Sequence, residues 1–164
     1  MVIALNLLVQ AITYLRPGIC DALTVGQLIP PSAAAGVGYQ MWGLLLHPVE
    51  CLIPGKTGGY NEAVVFDSVI WIGAFLEILR GSRPLSQRLW PCSAATIISK
   101  MNEAVSALGL EFLNPCRYSL RHAGASHDLL SKSRTLDAIK KRGQWLGDAS
   151  VRRYAKETLA LREL

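Results

Sequence analysis

The last third of the chain contains an arginine, a tryptophan and a tyrosine at spacings that loops and short helices can bring to one point. Arg121 precedes Trp145 by 24 positions, and Trp145 precedes Tyr154 by nine. A guanidinium matches the geometry of phosphate oxygens, an indole N–H donates one hydrogen bond, and a phenol beside cations can act as a nucleophile. Together these groups suit chemistry on a phosphodiester.

Two upstream segments extend this set into a pattern that resembles the catalytic domain of the tyrosine recombinases, the phage integrase family. Tyr-Leu-Arg-Pro-Gly at 14–18 resembles the family's first-arginine segment, and Pro-Gly-Lys-Thr-Gly-Gly at 54–59 resembles its catalytic-lysine hairpin turn. The resemblance covers residues 5–156. The run Arg-His-Ala-Gly-Ala-Ser-His from Arg121, with Trp145 where most members have a second histidine, is similar to recombinase-like proteins of eukaryotic mobile elements.

The resemblance implies a role for each of five residues. Arg16 and Arg121 would hold the non-bridging oxygens of the scissile phosphate, where guanidinium groups stabilise the transition state. Tyr154 would attack phosphorus, and Lys56 would protonate the departing 5′-oxygen as a general acid. Trp145 would donate its indole N–H to a phosphate oxygen. The product is a 3′-phosphotyrosyl link, and no metal or nucleotide cofactor is required.

Two positions depart from the family pattern. Tyr118 stands three residues before Arg121, where the family usually has histidine. Its phenol can donate a hydrogen bond but is a poor base near neutral pH, and we include it among the catalytic candidates. Ile19 stands three residues after Arg16, where an acidic residue is usual, and the nearest carboxylate is Asp21.

Positive charge is unevenly distributed along a chain of net charge +5. Arg16 is the only lysine or arginine before Cys51, whereas many follow Arg117. Such clustering is typical of a surface that binds a polyanion, although a solvated helical face is the alternative. We predict double-stranded DNA as the partner, with a possible homo-oligomer on DNA. The predicted DNA-binding residues are Lys132, Arg134, Lys140, Lys141, Arg142, Arg152 and Arg153.

Length and composition predict one globular domain. The chain has 164 residues, of which 51% are hydrophobic, enough for a buried core. Its four cysteines form no Cys-x-x-Cys pair, so we expect reduced thiols. Residues 1–15 are apolar but include Asn6 and Gln10 and are too short to cross a bilayer, so they predict a buried helix and no membrane partner. We expect a protein that is not secreted, nuclear in a eukaryote and otherwise cytoplasmic.

The pattern of apolar residues and breakers predicts an α+β fold that is mostly helical, with a small three-stranded antiparallel sheet as in the tyrosine recombinase catalytic domain. The first helix is predicted over 2–14 and ends at the Pro17–Gly18 break. Predicted strands are 39–46, 49–53 and 63–66, with Lys56 at the tip between the last two. Further helices are predicted from Asp67 or Ser68 to about 79, from Ser93 to about 108, and near 121–131, 135–142 and 149–160. The whole of 1–164 is expected to be catalytic domain, without the N-terminal helical domain usual in the family.

Each candidate also has a simpler structural interpretation. Arg16 can hold carbonyls at a helix end, Lys56 can be an exposed hairpin residue, and Trp145 can belong to the core. A phosphate-binding P-loop at Lys56 is excluded because its first glycine would fall where the chain has Glu50.

No metal site is predicted at the two histidines of the basic segment. His122 and His127 are five residues apart, whereas the metalloprotease helix needs a spacing of four to place both rings on one face. Three functions remain open: a DNA strand-exchange enzyme, a DNA-binding derivative without catalysis, and a helical protein-interaction module.

Overall fold

The computed structural model describes residues 1–36, 40–52, 55 and 58–152. This part of the chain is mostly helical with a small antiparallel sheet, which confirms the predicted α+β class. In chain order the elements are α1 (Val2–Thr13), α2 (Pro17–Ala22), β1 (Leu28–Ile29), β2 (Gly43–Leu46), β3 (Glu62–Val65), α3 (Gly73–Arg80), α4 (Ala94–Ala107), α5 (Arg117–Leu130), α6 (Leu136–Arg142) and α7 (Asp148–Arg152). Within these residues no helix is long and apolar enough to cross a membrane.

The sheet has the order β1-β2-β3, and both pairs of strands are antiparallel. Leu28 pairs with Leu44, and Leu46 pairs with Glu62. Leu44 and Leu46 are buried while Leu45 between them is only partly buried, the alternation expected of a sheet with one face on the core. The loop between β2 and β3 includes the position of Lys56, which lies outside the described residues.

One predicted strand is wrong. Within the predicted 49–53 segment, Val49–Cys51 forms a 3-10 turn that ends at Leu52 in the left-handed region, with φ of 54°. Pro48 precedes the turn, has no N–H for a ladder, and leaves Leu52 exposed. The third strand is instead β1, earlier in the chain. The strand predicted at 63–66 is confirmed one residue earlier, and β2 forms the end of the segment predicted at 39–46.

The helix predictions hold except at several starts. Pro17 does not only end α1: it is the first residue of α2, a position that suits proline because no N–H partner is lost there. Ser93 caps α4 as predicted, accepting a 3.1 Å hydrogen bond from the Thr96 N–H. Asp67 and Ser68 cap no regular helix, because Ile70–Ile72 forms a 3-10 turn before α3.

The C-terminal helices differ from prediction in their bounds. Helix α5 begins at Arg117 rather than near 121, because Cys116 and Ser119 cap it, with the Ser119 Oγ accepting from the Cys116 N–H at 3.1 Å. Thr135 caps α6 by accepting from the Ala138 N–H at 3.2 Å. Helix α7 coincides with the start of the helix predicted at 149–160, whose remainder lies outside the described residues.

Helix α1 packs along α5 through an unusual polar contact in its buried face. Asn6 and Gln10 are fully buried, and both side-chain oxygens accept hydrogen bonds from the Arg117 guanidinium, at 3.1 Å and 2.8 Å. Arg117 also pairs with Asp21 at 2.6 Å. Buried polar groups require such partners, so the two polar residues of the apolar first helix fix its register against α5.

The core has two parts. The larger one lies between α1, α2, the sheet and α3, and includes Leu5, Val9, Leu44, Phe66 and Leu76. The smaller cluster consists of Tyr14, Ala125, Ile139 and Val151, with Leu129, Leu136 and Trp145 packed against it. It joins the end of α1 to α5, α6 and α7, the elements that carry most of the predicted site.

Candidate functional site

Arg121 and Trp145, two of the predicted site residues, are in direct contact. The Arg121 guanidinium lies 4.2 Å from the centre of the Trp145 ring, a distance typical of a cation–π interaction. It also donates hydrogen bonds to the carbonyl of Tyr14 and, at 2.6 Å, to the carbonyl of Gly143. Only 3% of Arg121 is exposed, so α1, α5 and the α6–α7 connection meet at this side chain.

Tyr14 extends this contact into a row of alternating cations and rings. Its ring centre lies 6.2 Å from that of Trp145, with 29° between the planes. On its other side the Arg142 guanidinium lies 5.7 Å from the Tyr14 ring centre. We call Arg121, Trp145, Tyr14 and Arg142 the arginine–aromatic stack. Because Tyr14 precedes Arg16 by two residues, the stack anchors the predicted first-arginine segment beside Arg121.

Arg16 is the N-cap residue of α2 and has extended backbone geometry, with φ of −64° and ψ of 143°. Its side chain is partly buried and forms no hydrogen bond or ion pair with the residues that the structure describes. The carbonyl-capping interpretation of Arg16 is therefore not seen within them. The guanidinium stands two residues from the Tyr14 carbonyl that Arg121 contacts.

The turn before Trp145 connects the stack to the β2–β3 hairpin. Gln144 adopts a left-handed conformation, with φ of 54°, and its buried carboxamide donates a hydrogen bond to the Glu62 carboxylate. Glu62 is the first residue of β3, at the end of the loop that contains Lys56. A Cβ on Gly143 would lie 1.9 Å from the Trp145 ring, so glycine is needed for the indole to lie flat on this turn.

The segment leading to Tyr154 starts against the same cluster. Val151, in α7, is fully buried with Tyr14, Ala125 and Ile139. Tyr154 follows three residues later in the sequence and lies outside the described residues, as does Lys56. The nucleophile and general-acid predictions therefore keep the standing of predictions, with their neighbouring residues in place.

Tyr118, the residue at the usual histidine position, points differently from Arg121. It is 50% exposed in the first turn of α5, whereas Arg121 one turn later is buried. Its ring centre lies 6.4 Å from that of His122. A catalytic role for Tyr118 stays a prediction.

Two of the predicted DNA-binding arginines are held inside the protein. Arg142 is 8% exposed and donates to the carbonyls of Ile12 at 2.7 Å and Val65 at 2.9 Å. Burial lowers its pKa from the usual arginine value. Arg134 donates to both carboxylate oxygens of Asp67, at 2.7 and 2.5 Å, and to Asp128 at 2.8 Å. Both arginines join α6 and the preceding loop to α1 and β3, an internal role that charge counting does not reveal.

The two carboxylates of this network are held ionised. Burial alone would raise the pKa of Asp128, but hydrogen bonds from Tyr14, His127 and Arg134 outweigh it and the pKa lies below its usual range. The pKa of Asp67 is lowered in the same way against burial, by hydrogen bonds from Arg134 and by the charge of Arg142.

Tyr14 is not an alternative nucleophile. Burial, and then its hydrogen bond to Asp128, raise its pKa above the ordinary tyrosine value. Only 1% of the residue is exposed. The phenol therefore stays protonated and structural, as a donor to a carboxylate across 114 positions of the chain.

The remaining predicted DNA-binding residues vary in exposure. Lys132 and Lys141 are exposed and form no ion pair with any described residue. Lys140 is half-buried and pairs with Asp148 at 2.7 Å. The Arg152 side chain and all of Arg153 lie outside the described part of the chain. Among described residues, Lys132 and Lys141 thus supply the solvent-facing charge of the predicted surface.

Residue patterns did not identify Asp67 and Asp128 as partners of the arginines. Both pairings cross long stretches of sequence, and no local spacing signals them. Tyr14 carried a weak signal, an aromatic residue directly inside the first-arginine segment. In the described ranges no three or more His, Cys, Asp or Glu side chains are grouped so that they could hold a metal ion.

No protein-family model, no curated protein and no solved structure matches this chain.

Proposed function

We propose that the chain cleaves and rejoins DNA strands through a 3′-phosphotyrosyl intermediate, with the fold of a tyrosine recombinase catalytic domain. The observation that carries this proposal is the contact between Arg121, Trp145 and the Tyr14–Arg16 segment. Residues that the resemblance assigns to one phosphate come from three distant parts of the sequence and meet in space. Val151 brings the start of the tyrosine-bearing segment to the same cluster.

The proposed reaction divides among five side chains. Arg16 and Arg121 neutralise the non-bridging oxygens as charge gathers on phosphorus. Tyr154 attacks phosphorus and loses its proton, while Lys56 gives a proton to the departing 5′-oxygen. Trp145 orients Arg121 by stacking and offers its indole N–H to the phosphate. The phosphotyrosyl bond keeps the energy needed for rejoining, and the reverse steps release Tyr154.

Arg121 imposes a condition on this mechanism. A guanidinium has five N–H donors in a rigid fork, and in the structure Arg121 is almost fully covered and bonded to two carbonyls. The proposal requires one edge of the fork to reach phosphate when DNA docks, with Trp145 and Gly143 holding the other edge. Arg16, partly exposed, would contact the phosphate from the α2 side.

A second function, DNA binding without cleavage, is favoured by the same burial. If Arg121 serves only to hold Tyr14 and Gly143, it is a structural group and no phosphate is activated. Lys132 and Lys141 would still attract DNA, because binding releases counterions condensed on phosphates. Self-association on DNA is compatible with either function.

Covalent trapping on nicked duplex DNA distinguishes the two functions. The unmodified chain should form a protein–DNA adduct that survives denaturation, and Tyr154→Phe should bind DNA equally but form none. Tyr60→Phe is a matched control, because Tyr60 is another partly exposed tyrosine, 40% exposed, outside the proposed site. An adduct in Tyr154→Phe would remove Tyr154 as the nucleophile. DNA binding without any adduct in the unmodified chain would favour the non-catalytic function.

The general acid is tested with a leaving group that needs no proton. Lys56→Ala should slow cleavage of ordinary DNA by roughly 10²–10⁴-fold, the usual contribution of general acid catalysis. A substrate with sulfur at the 5′-bridging position leaves as a thiolate and should be cleaved nearly as fast as by the unmodified chain. Arg121→Ala should be rescued by no such substrate, since its role is charge stabilisation on other oxygens.

A further inference from the structure

His47 lies at the point where the hairpin loop leaves the sheet. It directly follows β2 and has φ of 50°. Its carbonyl accepts a 2.9 Å hydrogen bond from the N–H of Asn61, which has φ of 51° and directly precedes β3. Left-handed geometry is uncommon outside glycine, though Asn and His tolerate it better than most residues. The two residues thus close the base of the loop that contains Lys56.

The His47 ring packs directly on the backbone of Gly55. A Cβ built at Gly55 would lie 3.1 Å from the ring Cδ2 and 3.3 Å from Nε2. Gly55 is buried, and hydrogen bonds with Gly59 and Gly58, both 2.8 Å, fix its own position. The ring therefore abuts the residue that immediately precedes Lys56 in the sequence.

The other side of the ring faces the helix that begins at Arg16. A pocket of about 260 Å³ lies between His47, Pro48 and the α2 residues Gly18 and Ile19. The Nε2 atom of His47 is buried and has no hydrogen-bond partner among the described residues. A buried polar atom left unpaired costs about 1–3 kcal/mol, so such an atom marks a place where a further group is expected to bond.

We propose that His47 is a positioning residue for the general acid: its imidazole sets the distance between the Lys56 segment and the Arg16 helix. This inference rests on the proposed function, in which Arg16 holds the phosphate and Lys56 protonates the leaving oxygen of that phosphate. A general acid must lie within hydrogen-bond reach of the atom that it protonates. A ring wedged between Gly55 and α2 provides that alignment without touching the substrate.

His47→Asn is the direct test, because asparagine tolerates the left-handed backbone but removes the ring. DNA binding and melting temperature should stay close to those of the unmodified chain. Cleavage of ordinary DNA should fall by roughly 10- to 100-fold, the scale of a misplacement near 1 Å. Cleavage of the 5′-bridging sulfur substrate should be largely retained, since that leaving group does not need Lys56.

Gly55→Ala should give the same pattern, because its methyl group pushes against the ring and the 3.3 Å carbonyl of Gly59. Gly18→Ala, on the opposite wall of the pocket, is the matched control: nothing lies within 4 Å of its added Cβ, and cleavage should be unchanged.

Two results for His47→Asn would overturn the inference while leaving the proposed function intact. One is cleavage of ordinary DNA at the unmodified rate. The other is an equal loss on ordinary and sulfur substrates, which would mean that the ring does not act through Lys56. Failure of the proposed function looks different, because the unmodified chain would then form no adduct with either substrate, and the inference would fall with it.

Discussion

Replacing Gly124 by alanine tests the closest approach between α1 and α5. A Cβ at Gly124 would lie 2.0 Å from the carbonyl oxygen of Ala11, 3.0 Å from its carbon and 3.1 Å from the Tyr14 ring. Ordinary contact begins near 3.4 Å, so the methyl group and the α1 backbone must separate by about 3.4 − 2.0 = 1.4 Å. No side-chain rotation can relieve a clash between Cβ and a backbone oxygen.

Two opposing effects set the size of the loss. Alanine in a helix is favoured over glycine by about 1 kcal/mol. Overpacking costs about 1–3 kcal/mol and sometimes more, and here the obstacle is backbone, which places the cost at the upper end. The net loss of unfolding free energy should be about 2 kcal/mol or more. For a domain of this size that corresponds to a melting temperature about 4–8 °C lower.

Thermal unfolding followed by circular dichroism measures the effect, and Gly18→Ala in α2 is the control. An alanine at position 18 meets nothing within 4 Å, so helix propensity alone acts and its melting temperature should be equal or slightly higher. The packing of α1 on α5 described above would be refuted by a Gly124→Ala protein that melts at or above the unmodified temperature.

Three further outcomes are expected. Because the pKa of Asp128 is depressed in the folded state, its contribution to stability is present above the ordinary Asp pKa near 4 and is lost as pH falls through the folded value; Asp128→Asn should be less stable at neutral pH and show a flatter loss below pH 4 in urea unfolding. Cys116 is exposed and a hydrogen bond from Ser119 lowers its pKa, whereas burial raises that of Cys20 to about 12; thiol labelling of the native protein should modify Cys116 first, and equal rates would contradict the burial of Cys20. Exchanging both Lys132 and Lys141 for glutamine should weaken DNA binding at all sequences alike and reduce the slope of log affinity against log salt by up to about 2; an unchanged slope would place the DNA elsewhere.

The sequence predicted what depends on local chemistry. Ser93 caps α4 because a hydroxyl one residue before an apolar helix can accept from its free N–H groups. The hairpin around β3 follows from a β-prone run after glycines. Pro48 shows the limit: a short apolar run beside a proline looked like a strand, but the missing N–H favours the 3-10 turn at Val49–Cys51.

The environment of the site could not be predicted in the same way. Arg121 and Trp145 were identified as residues, but the carbonyls and the Tyr14 ring that hold them depend on contacts across more than a hundred positions. Arg134 and Arg142 were expected on a surface because a charge count does not distinguish a solvated arginine from one paired with Asp67. Only the packing of α6 against β3 makes that distinction.

The bonds from Arg117 to α1 have a consequence for the order of folding during synthesis. Gln10 donates to the Arg117 carbonyl across 107 positions, and Arg142 donates to Ile12 across 130. At about 5–20 residues per second, the ribosome needs roughly 5–20 s to make the partner of Gln10, and closing a loop of that length costs about 4 kcal/mol of chain entropy. Throughout that interval the apolar face of α1 has no α5 to cover it. Aggregation of the nascent chain through α1 therefore competes with folding until the basic helices emerge.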